Sequence, residues 1–193
     1  MGAADRSMDA PLIEAVWFRA GADVPRDLAR DIVARTSRRV SVPCHLHPET
    51  WNISPVRLGG REQADADSLL AVLEASAQPG CIEVGLTGID MGLKLFTFVF
   101  GRATLNGRAA VVSLARLGPE RYGLAADAEL TARRTVAEVL HELGHVAGLA
   151  HCDDFGCLMH FATNVESIDL RGAGFCPACT AALPRQLLAE AQV

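Results

Sequence analysis

Hydrophobic and polar positions along this chain follow two kinds of spacing, one typical of strands and the other typical of helices. Short runs rich in apolar and β-branched residues favour strands, and they occupy residues 12–19, 40–46, 82–89, 96–100 and 109–114. Apolar positions three or four residues apart favour amphipathic helices, and they occupy residues 26–38, 65–77 and 127–148. This mixture predicts an α/β (α+β) fold in which helices flank a sheet.

An Asn-Gly dipeptide separates two of the predicted strands. Asn106-Gly107 is typical of a type I′ turn, which joins antiparallel strands through a two-residue loop. Residues 96–114 are therefore predicted to form an antiparallel hairpin, and a hairpin beside helix-connected strands favours a mixed sheet.

The helix predicted over residues 127–148 has two chemically different faces. Asp127 is in position to cap its N-terminus, and Gly148 is in position to end it in the left-handed conformation that glycine adopts without a Cβ penalty. One face carries an apolar stripe of Val136, Val139, Leu140, Leu143, Val146 and Ala147. The opposite face carries His141 and His145, so we expect one face to anchor the core and the other to present two imidazoles.

These histidines belong to a zinc-binding motif. The sequence HELGH, from His141 to His145, is an H-E-x-x-H motif that continues through Gly148 to His151. Residues four apart are neighbours on a helix surface, so both imidazoles can reach one zinc ion, and a turn after Gly148 can supply His151 as a third ligand. Three neutral ligands leave one open position for a water whose pKa falls towards about 7. Glu142 is not needed as a ligand and is predicted to take a proton from that water.

The extension of the motif decides its interpretation. A bare H-E-x-x-H also occurs by chance on helices, but the glycine and the third histidine of H-E-x-x-H-x-x-G-x-x-H are independent requirements. His45, His47 and His160 lack such a pattern and are predicted to be ordinary polar or partly buried residues.

Length and composition narrow the class of protein. With 193 residues, 50% hydrophobic and 21% charged, the chain is long enough for one domain with its own core and unlike a disordered protein. A net charge of −5 without a basic cluster disfavours nucleic-acid binding. No apolar run is long enough to span a membrane, and residues 1–10 lack the apolar region of a signal peptide. We therefore expect the reducing cytoplasm, where disulfides are rare.

Four of the six cysteines are clustered near the C-terminus. Cys152, Cys157, Cys176 and Cys179 offer four thiolates, which suit a closed tetrahedral zinc site. Because Cys152 directly follows His151, this second zinc should fix the segment that delivers the third histidine, and it should stabilise a segment too short to build its own core. A redox pair or incidental thiols are the alternatives. Cys44 and Cys81 are predicted to be small buried hydrophobic residues.

The segment HELGHVAGLAHCDDFGCLM, followed by CPAC, resembles the archaemetzincins, a branch of the metzincin zinc peptidases. The elongated zinc motif, the adjacent cysteine, the C-x₄-C-x-M run and the final C-x-x-C occur in the family's order, and residues 82–117 are also similar. The resemblance implies that His141, His145 and His151 bind a catalytic zinc and that Glu142 is the general base. It assigns a second, structural zinc to Cys152, Cys157, Cys176 and Cys179. Met159 matches the methionine of the Met-turn, a packing residue beneath the catalytic site.

The resemblance also implies a fold and an activity. We expect a single catalytic domain over residues 1–193, with a sheet and zinc helix in residues 1–148 and a small zinc-bound subdomain in residues 149–193. An edge strand near residues 98–104 would bind extended peptide by strand addition. The implied function is a cytoplasmic zinc metallopeptidase that hydrolyses short peptides, holds two zinc ions per chain, has no nucleic-acid or membrane partner and is a monomer.

Three alternatives use the same residues differently. A zinc-stabilised peptide-binding protein with little or no turnover would carry the same motif. Hydrolysis of a non-peptide amide would use the same water. A zinc-ribbon binding module would explain the cysteines but would leave Glu142 and the three histidines without a role.

Overall fold

Two β-sheets and five α-helices make up the computed structural model, which describes residues 13–187. The strands are β1 (Ala15–Ala20), β2 (Cys44–Leu46), β3 (Ala64–Asp65), β4 (Cys81–Thr87), β5 (Met91–Leu93), β6 (Phe96–Val99), β7 (Gly101–Ala103) and β8 (Ala109–Ser113). The helices are α1 (Arg26–Ser37), α2 (Ala66–Ser76), α3 (Ala128–Val146), α4 (Val165–Leu170) and α5 (Pro177–Ala182).

The larger sheet is mixed, as the sequence predicts. Its order is β2-β1-β4-β8-β7; the first four strands run parallel, and β7 pairs antiparallel with β8 at the edge. A smaller sheet has the order β3-β5-β6. The predicted mixed α/β fold is therefore confirmed.

Helices cover both faces of the larger sheet, which explains its continuous hydrophobic strands. On β8, Ala110 and Val112 pack in the core cluster that contains residues of α1 and α3. The alternate residues Ala109 and Val111 pack on the other face, in the cluster that contains α2. All five residues of β8 are consequently buried.

The predicted hairpin exists, but its first strand and its turn differ from the prediction. The Asn106 turn joins β7 to β8, whereas β6 pairs with β5 in the smaller sheet. The loop is also longer than a two-residue type I′ turn: the Gly107 N–H donates to the Thr104 carbonyl over 2.9 Å, and only Asn106 of the dipeptide has positive φ, at 54°. The Asn106 N–H donates to the His145 carbonyl at the end of α3, so a tertiary contact overrides the local turn preference.

Helix α3 begins and ends as predicted. The Asp127 carboxylate accepts from the Leu130 N–H over 2.9 Å. Gly148 has φ +92°, and the Leu149 N–H donates a hydrogen bond to the Gly144 carbonyl, which caps the C-terminal end of the helix. The apolar stripe is buried, with Ala147 half-buried. The histidine face is covered as well, since His141 and Glu142 are also buried.

Two predictions fall partly or wholly outside the described residues. Residues 1–10, predicted to lack a signal peptide, lie outside them, as does the start of the first predicted strand at residue 12.

Among residues 13–187, no helix is both long enough and apolar enough to cross a membrane. The division at residue 148 stays a prediction; the segment beyond it contains α4 and α5 and packs against α3.

Candidate active site

Three imidazoles converge at the C-terminal end of α3. The ligand atoms of His141, His145 and His151 all lie within 4.8 Å of one another. The Nε2 atoms of His141 and His145 are 3.1 Å apart. Zinc–nitrogen bonds of about 2.0–2.1 Å in a tetrahedron place two nitrogens about 3.3 Å apart. The separation thus fits one shared zinc ion, and His151 is brought to the position that the extended motif predicts.

Backbone carbonyls fix the orientation of two of these rings. His141 Nδ1 lies 2.7 Å from the Leu158 carbonyl oxygen, and His145 Nδ1 lies 2.7 Å from the Leu149 carbonyl oxygen. Donation from Nδ1 to a carbonyl leaves Nε2 as the lone-pair atom, which is the form that binds a metal. Arg171 Nη1 lies 3.2 Å from His141 Nδ1, but both atoms are then donors and do not bond each other. Arg171 Nη1 donates instead to the carbonyl oxygens of Leu158 and His160.

The three histidines are held in their neutral form. Burial lowers the pKa of His141 well below its usual value, and the nearby charge of Arg171 lowers it further. Burial likewise lowers the pKa of His145 and of His151. Neutral imidazole is the metal-binding form, so these environments prepare the site for a cation.

Glu142 lies beside the histidines with an unsatisfied carboxylate. Its side chain is buried, and Oε2 has no hydrogen-bond partner among the described residues. Burial, and then the neighbouring charge of Glu138, raise the pKa of Glu142 well above the usual carboxyl value, while Arg102 opposes the shift. A buried carboxylate without a partner is costly in a folded chain, which indicates a role in the site rather than in packing.

Glycine at position 101 makes room for this carboxylate. Gly101 belongs to the edge strand β7, and a Cβ atom there would lie 2.7 Å from Glu142 Cγ and 2.8 Å from Cδ. Real side chains do not tolerate such distances, so only glycine lets the strand approach the helix this closely. The sequence alone does not reveal this contact.

An open cleft runs past the histidines and Glu142. Its volume is about 640 Å³, within the range of ligand sites in proteins. One wall is formed by residues 96–103, which include Phe98 of β6, Phe100 between the two strands and Arg102 of β7. Another wall is formed by Phe161 and its neighbours. Arg102 pairs with Asp67 over 2.9 Å at the cleft's edge. The cleft is mostly apolar, with the histidines and Glu142 grouped in its floor.

The four clustered cysteines also converge. Their Sγ atoms all lie within 4.8 Å of one another, and those of Cys152 and Cys176 are 3.8 Å apart. Zinc–sulfur bonds of about 2.3 Å in a tetrahedron place two sulfurs about 3.8 Å apart. Backbone N–H groups of Met159 and Cys176 donate to Cys157 Sγ. The backbone N–H of Cys179 lowers the pKa of Cys176 to about 7, whereas burial raises the pKa of Cys179. Cys176 is thus the thiol of this pair that is held towards the thiolate form, which metals bind.

Met159 and Gly148 occupy the positions expected of structural residues. Met159 is fully buried, and its sulfur packs so closely on Gly144 of α3 that a Cβ there would overlap it. Gly144 lies between the two histidines of the helix, so Met159 supports the turn that carries them. Gly148 closes that turn, and Asn106 lies against its Cα.

The remaining sequence candidates lie outside the two clusters. His47 lies 3.3 Å from Glu83 Oε2, and its ring packs on Trp17, as does that of His45. His160 bonds the Cys152 carbonyl through Nδ1. Cys44 and Cys81 are half-buried rather than fully buried.

Sequence reasoning missed a buried ion pair behind the histidines. Glu138 and Arg171 are both buried and bond each other, and Arg171 also donates to the Leu158 carbonyl that orients His141. Glu138 lies one helical turn before Glu142, and a charged residue at a buried helix position is a signal that the sequence does contain. No sequence signal identifies Arg171 as its partner, since Arg171 lies 30 residues beyond His141.

Comparisons with known proteins show which family the chain belongs to. The sequence profile described as peptidase family M54 matches residues 62–185, more than half of the chain. An archaemetzincin of Thermococcus kodakarensis is 48% identical over 104 residues, which are 54% of this chain and 56% of that relative. The chain thus spans little more than half the length of this curated relative.

Solved structures match over a longer part of the chain. The crystal structure of an archaemetzincin from Methanopyrus kandleri superposes with a TM-score of 0.73 at 32% identity, covering 90% of this chain and 95% of the other. The crystal structure of a zinc-dependent peptidase from Methanocorpusculum labreanum gives a TM-score of 0.79 at 27% identity, covering 87% and 98%. Family profile, sequence identity and fold therefore agree, and the chain belongs to peptidase family M54, the family of the archaemetzincins.

Proposed function

We propose that this chain is a zinc-dependent peptidase that hydrolyses peptide bonds in short peptides. The observation that carries the proposal is the convergence of three neutral imidazoles beside a buried carboxylate, in the floor of an open cleft. His141, His145 and His151 would hold the catalytic zinc, with Met159 as the methionine of the Met-turn beneath them. Membership of peptidase family M54 supports the same reaction class.

Glu142 is the proton carrier in this proposal. When bound, a zinc ion supplies a Lewis acid that acidifies water and polarises a carbonyl group. Glu142 accepts a proton from the attacking water, whose oxygen bonds to the carbonyl carbon, and passes the proton to the amine nitrogen as the C–N bond breaks. Burial raises the pKa of Glu142, and a carboxyl with a raised pKa takes up the transferred proton more readily than an exposed carboxyl does.

Strand β7 is suited to hold an extended substrate. It pairs with β8 on one side, and no strand of the described residues pairs with its other side. An unpaired edge can accept a peptide as an added strand. Strand β7 has only three residues, Gly101–Ala103, so its edge can pair with only a short stretch of substrate. This length is consistent with the proposal that the substrates are short peptides.

A second, structural zinc completes the proposal. Cys152, Cys157, Cys176 and Cys179 would hold it, and the sulfur spacing and N–H···S bonds described above support this assignment. The redox alternative would use only two of the four convergent thiols.

A cleavage assay with and without metal tests the proposed activity. The zinc-loaded full chain should cleave members of a short-peptide library, and a chelator should abolish cleavage, when products are identified by mass spectrometry. Peptide binding without cleavage would instead support the peptide-binding alternative. Cleavage restricted to small non-peptide amides would move the reaction to that class.

Substitution of Gly101 by Ala should impair hydrolysis without removing zinc. The added Cβ would collide with Cγ and Cδ of Glu142 and displace the carboxylate. A misplacement of about 1 Å in a catalytic group costs about 10²-fold in rate. We therefore expect kcat/KM to fall by about 10- to 100-fold in G101A, measured with a cleavable peptide, while metal analysis shows unchanged zinc.

Gly59 provides the matched control for this prediction. A Cβ atom at Gly59 would meet no atom within 4 Å, and its φ is not positive. G59A should therefore retain the parent activity to within about twofold. Equal activity in G101A and G59A would contradict the proposed contact between β7 and Glu142.

A further inference from the structure

A second cavity, with a volume of about 420 Å³, lies between α1, α3 and residues 168–173. Its floor is apolar and is formed by Val136, Ala137, Leu140, Leu158 and Ile168. None of the three convergent histidines lines it, and neither does Glu142. Arg171 is the one described residue that lines both this cavity and the cleft, and all the other lining residues differ.

Arginines dominate the charged residues around this cavity. The six that line it are Arg35, Arg38, Arg39, Arg133, Arg134 and Arg171. Asp169 is the one carboxylate among the described lining residues. The whole chain is acidic, with 23 Asp and Glu against 18 Lys and Arg. One third of the chain's basic residues thus surround a single concavity in a protein of negative net charge.

Four of these arginines lie within ion-pair distance of a carboxylate, and three of them form close pairs. The pairs are Arg35–Glu129, Arg134–Asp169 and Arg171–Glu138. Arg35 also pairs with Asp31 on its own helix. The Arg35–Glu129 pair joins α1 to α3, two helices that also pack against each other in the core.

The other three arginines have no carboxylate of their own among the described residues. Arg38 has no hydrogen-bond or ion-pair partner for its side chain within residues 13–187, and Arg39 donates only to the carbonyl of Ala173. Arg133 lies 3.9 Å from Asp169, whose two oxygens already accept from Arg134. Three exposed arginines that line the cavity therefore carry positive charge that no carboxylate of their own balances.

We propose that this arginine-lined cavity binds a small organic phosphate. A phosphate dianion matches several guanidinium groups at once, because each guanidinium can donate two parallel hydrogen bonds to phosphate oxygens. A single carboxylate would neutralise only one of the three. The apolar floor suits an apolar portion of the same ligand, and the volume lies within the range of small-molecule sites.

The linear sequence hides this site. Arg38-Arg39 and Arg133-Arg134 are short basic dipeptides far apart in the chain, so neither forms a basic cluster in the sequence. Packing of α1 against α3 brings the two dipeptides to the same cavity. The concave, partly apolar shape distinguishes this site from the extended basic surfaces that follow nucleic-acid backbones.

Calorimetric titration of the zinc-loaded full chain with phenyl phosphate tests the proposal. We expect saturable binding with a Kd below about 1 mM at low salt. Inorganic phosphate, which lacks the apolar portion, and benzoate, which carries a single charge, should both bind more weakly. In the double variant R38S/R133S the Kd should rise at least about tenfold, because two of the three arginines that have no carboxylate of their own are lost.

Two controls establish whether binding takes place in this cavity. The double variant R30S/R121S removes the same charge from exposed positions outside the cavity and should keep the parent Kd within about twofold. H145A should also retain binding, since the cavity does not include the histidine centre. Absence of saturation by about 10 mM, equal weakening in both double variants, benzoate binding as tightly as phenyl phosphate, or loss of binding in H145A would each overturn the proposal. Circular dichroism would verify that every variant is folded.

Discussion

Substitution of Glu142 by Gln should reduce peptide hydrolysis by about 10²- to 10⁴-fold, the range that a general base contributes. Glutamine keeps the size of the side chain but cannot accept and return a proton. Glu142 is buried, lies beside the three histidines and has one oxygen without a partner among the described residues. The measurement is kcat/KM for a cleavable peptide, accompanied by metal analysis, which should show that the zinc content is unchanged.

Stability distinguishes this effect from misfolding. Burial raises the pKa of Glu142 well above the value expected in the unfolded chain. Ionisation of such a group destabilises the metal-free folded state as the pH rises above its unfolded pKa. E142Q removes that cost, so the metal-free variant should melt at the same temperature as the parent or higher at neutral pH, although its activity is lost.

Glu129 offers a matched control on the same helix. It lies in the first turn of α3, is exposed and pairs with Arg35. E129Q should change kcat/KM by less than about twofold, since surface substitutions have small effects. Full turnover in E142Q would remove Glu142 from the mechanism, while equal losses in both variants would indicate damage to the helix.

Features encoded in local spacing were predictable from the sequence. The helical repeat fixed the relation of His141 to His145, and the Asp127 cap and the left-handed Gly148 followed from the chemistry of helix ends. The mixed sheet followed from short strands separated by helices. For the helix and its two ends, the determining contacts lie within a few residues of one another, whereas the strand pairs of the sheet join distant residues.

Features that depend on contacts between distant segments were not predictable. The closeness of Gly101 to Glu142 requires β7 to lie against α3, and no spacing in the sequence reports it. The Asn-Gly turn has a longer loop than its local preference indicates, because Asn106 bonds the end of α3. The Glu138–Arg171 pair likewise joins positions 33 residues apart. The partner of a buried charged residue can therefore be identified only once the fold is known.

Loss of the cysteine site should weaken zinc binding at the histidine site as well. Cys152 follows His151 directly and donates its N–H to the Met159 carbonyl over 2.9 Å. Leu158, between Cys157 and Met159, accepts from His141 Nδ1 and donates its N–H to the Gly174 carbonyl. The segments that carry the four cysteines thus position His151 by adjacency and His141 through a carbonyl.

The double variant C176S/C179S tests this coupling. Two of the four thiolates are lost, so the zinc content should fall from two ions per chain to one or fewer, as measured by mass spectrometry of the metal. Because displaced supporting groups cost about 10- to 100-fold in metal affinity, the remaining zinc should bind about that much more weakly in competition with a chromophoric chelator. Residues 149–187 should also become more sensitive to protease, since a structural zinc contributes directly to folding energy.

Cys81 lies outside both clusters and provides the control thiol. C81S should keep two zinc ions and the parent affinity at the histidine site, so any general effect of removing a thiol would appear there as well. A parent zinc stoichiometry below two would contradict the two-site proposal itself. If C176S/C179S lost one zinc but bound the other with unchanged affinity, the cysteine site would stabilise its own segment only, and the carbonyl of Leu158 would hold His141 without its help.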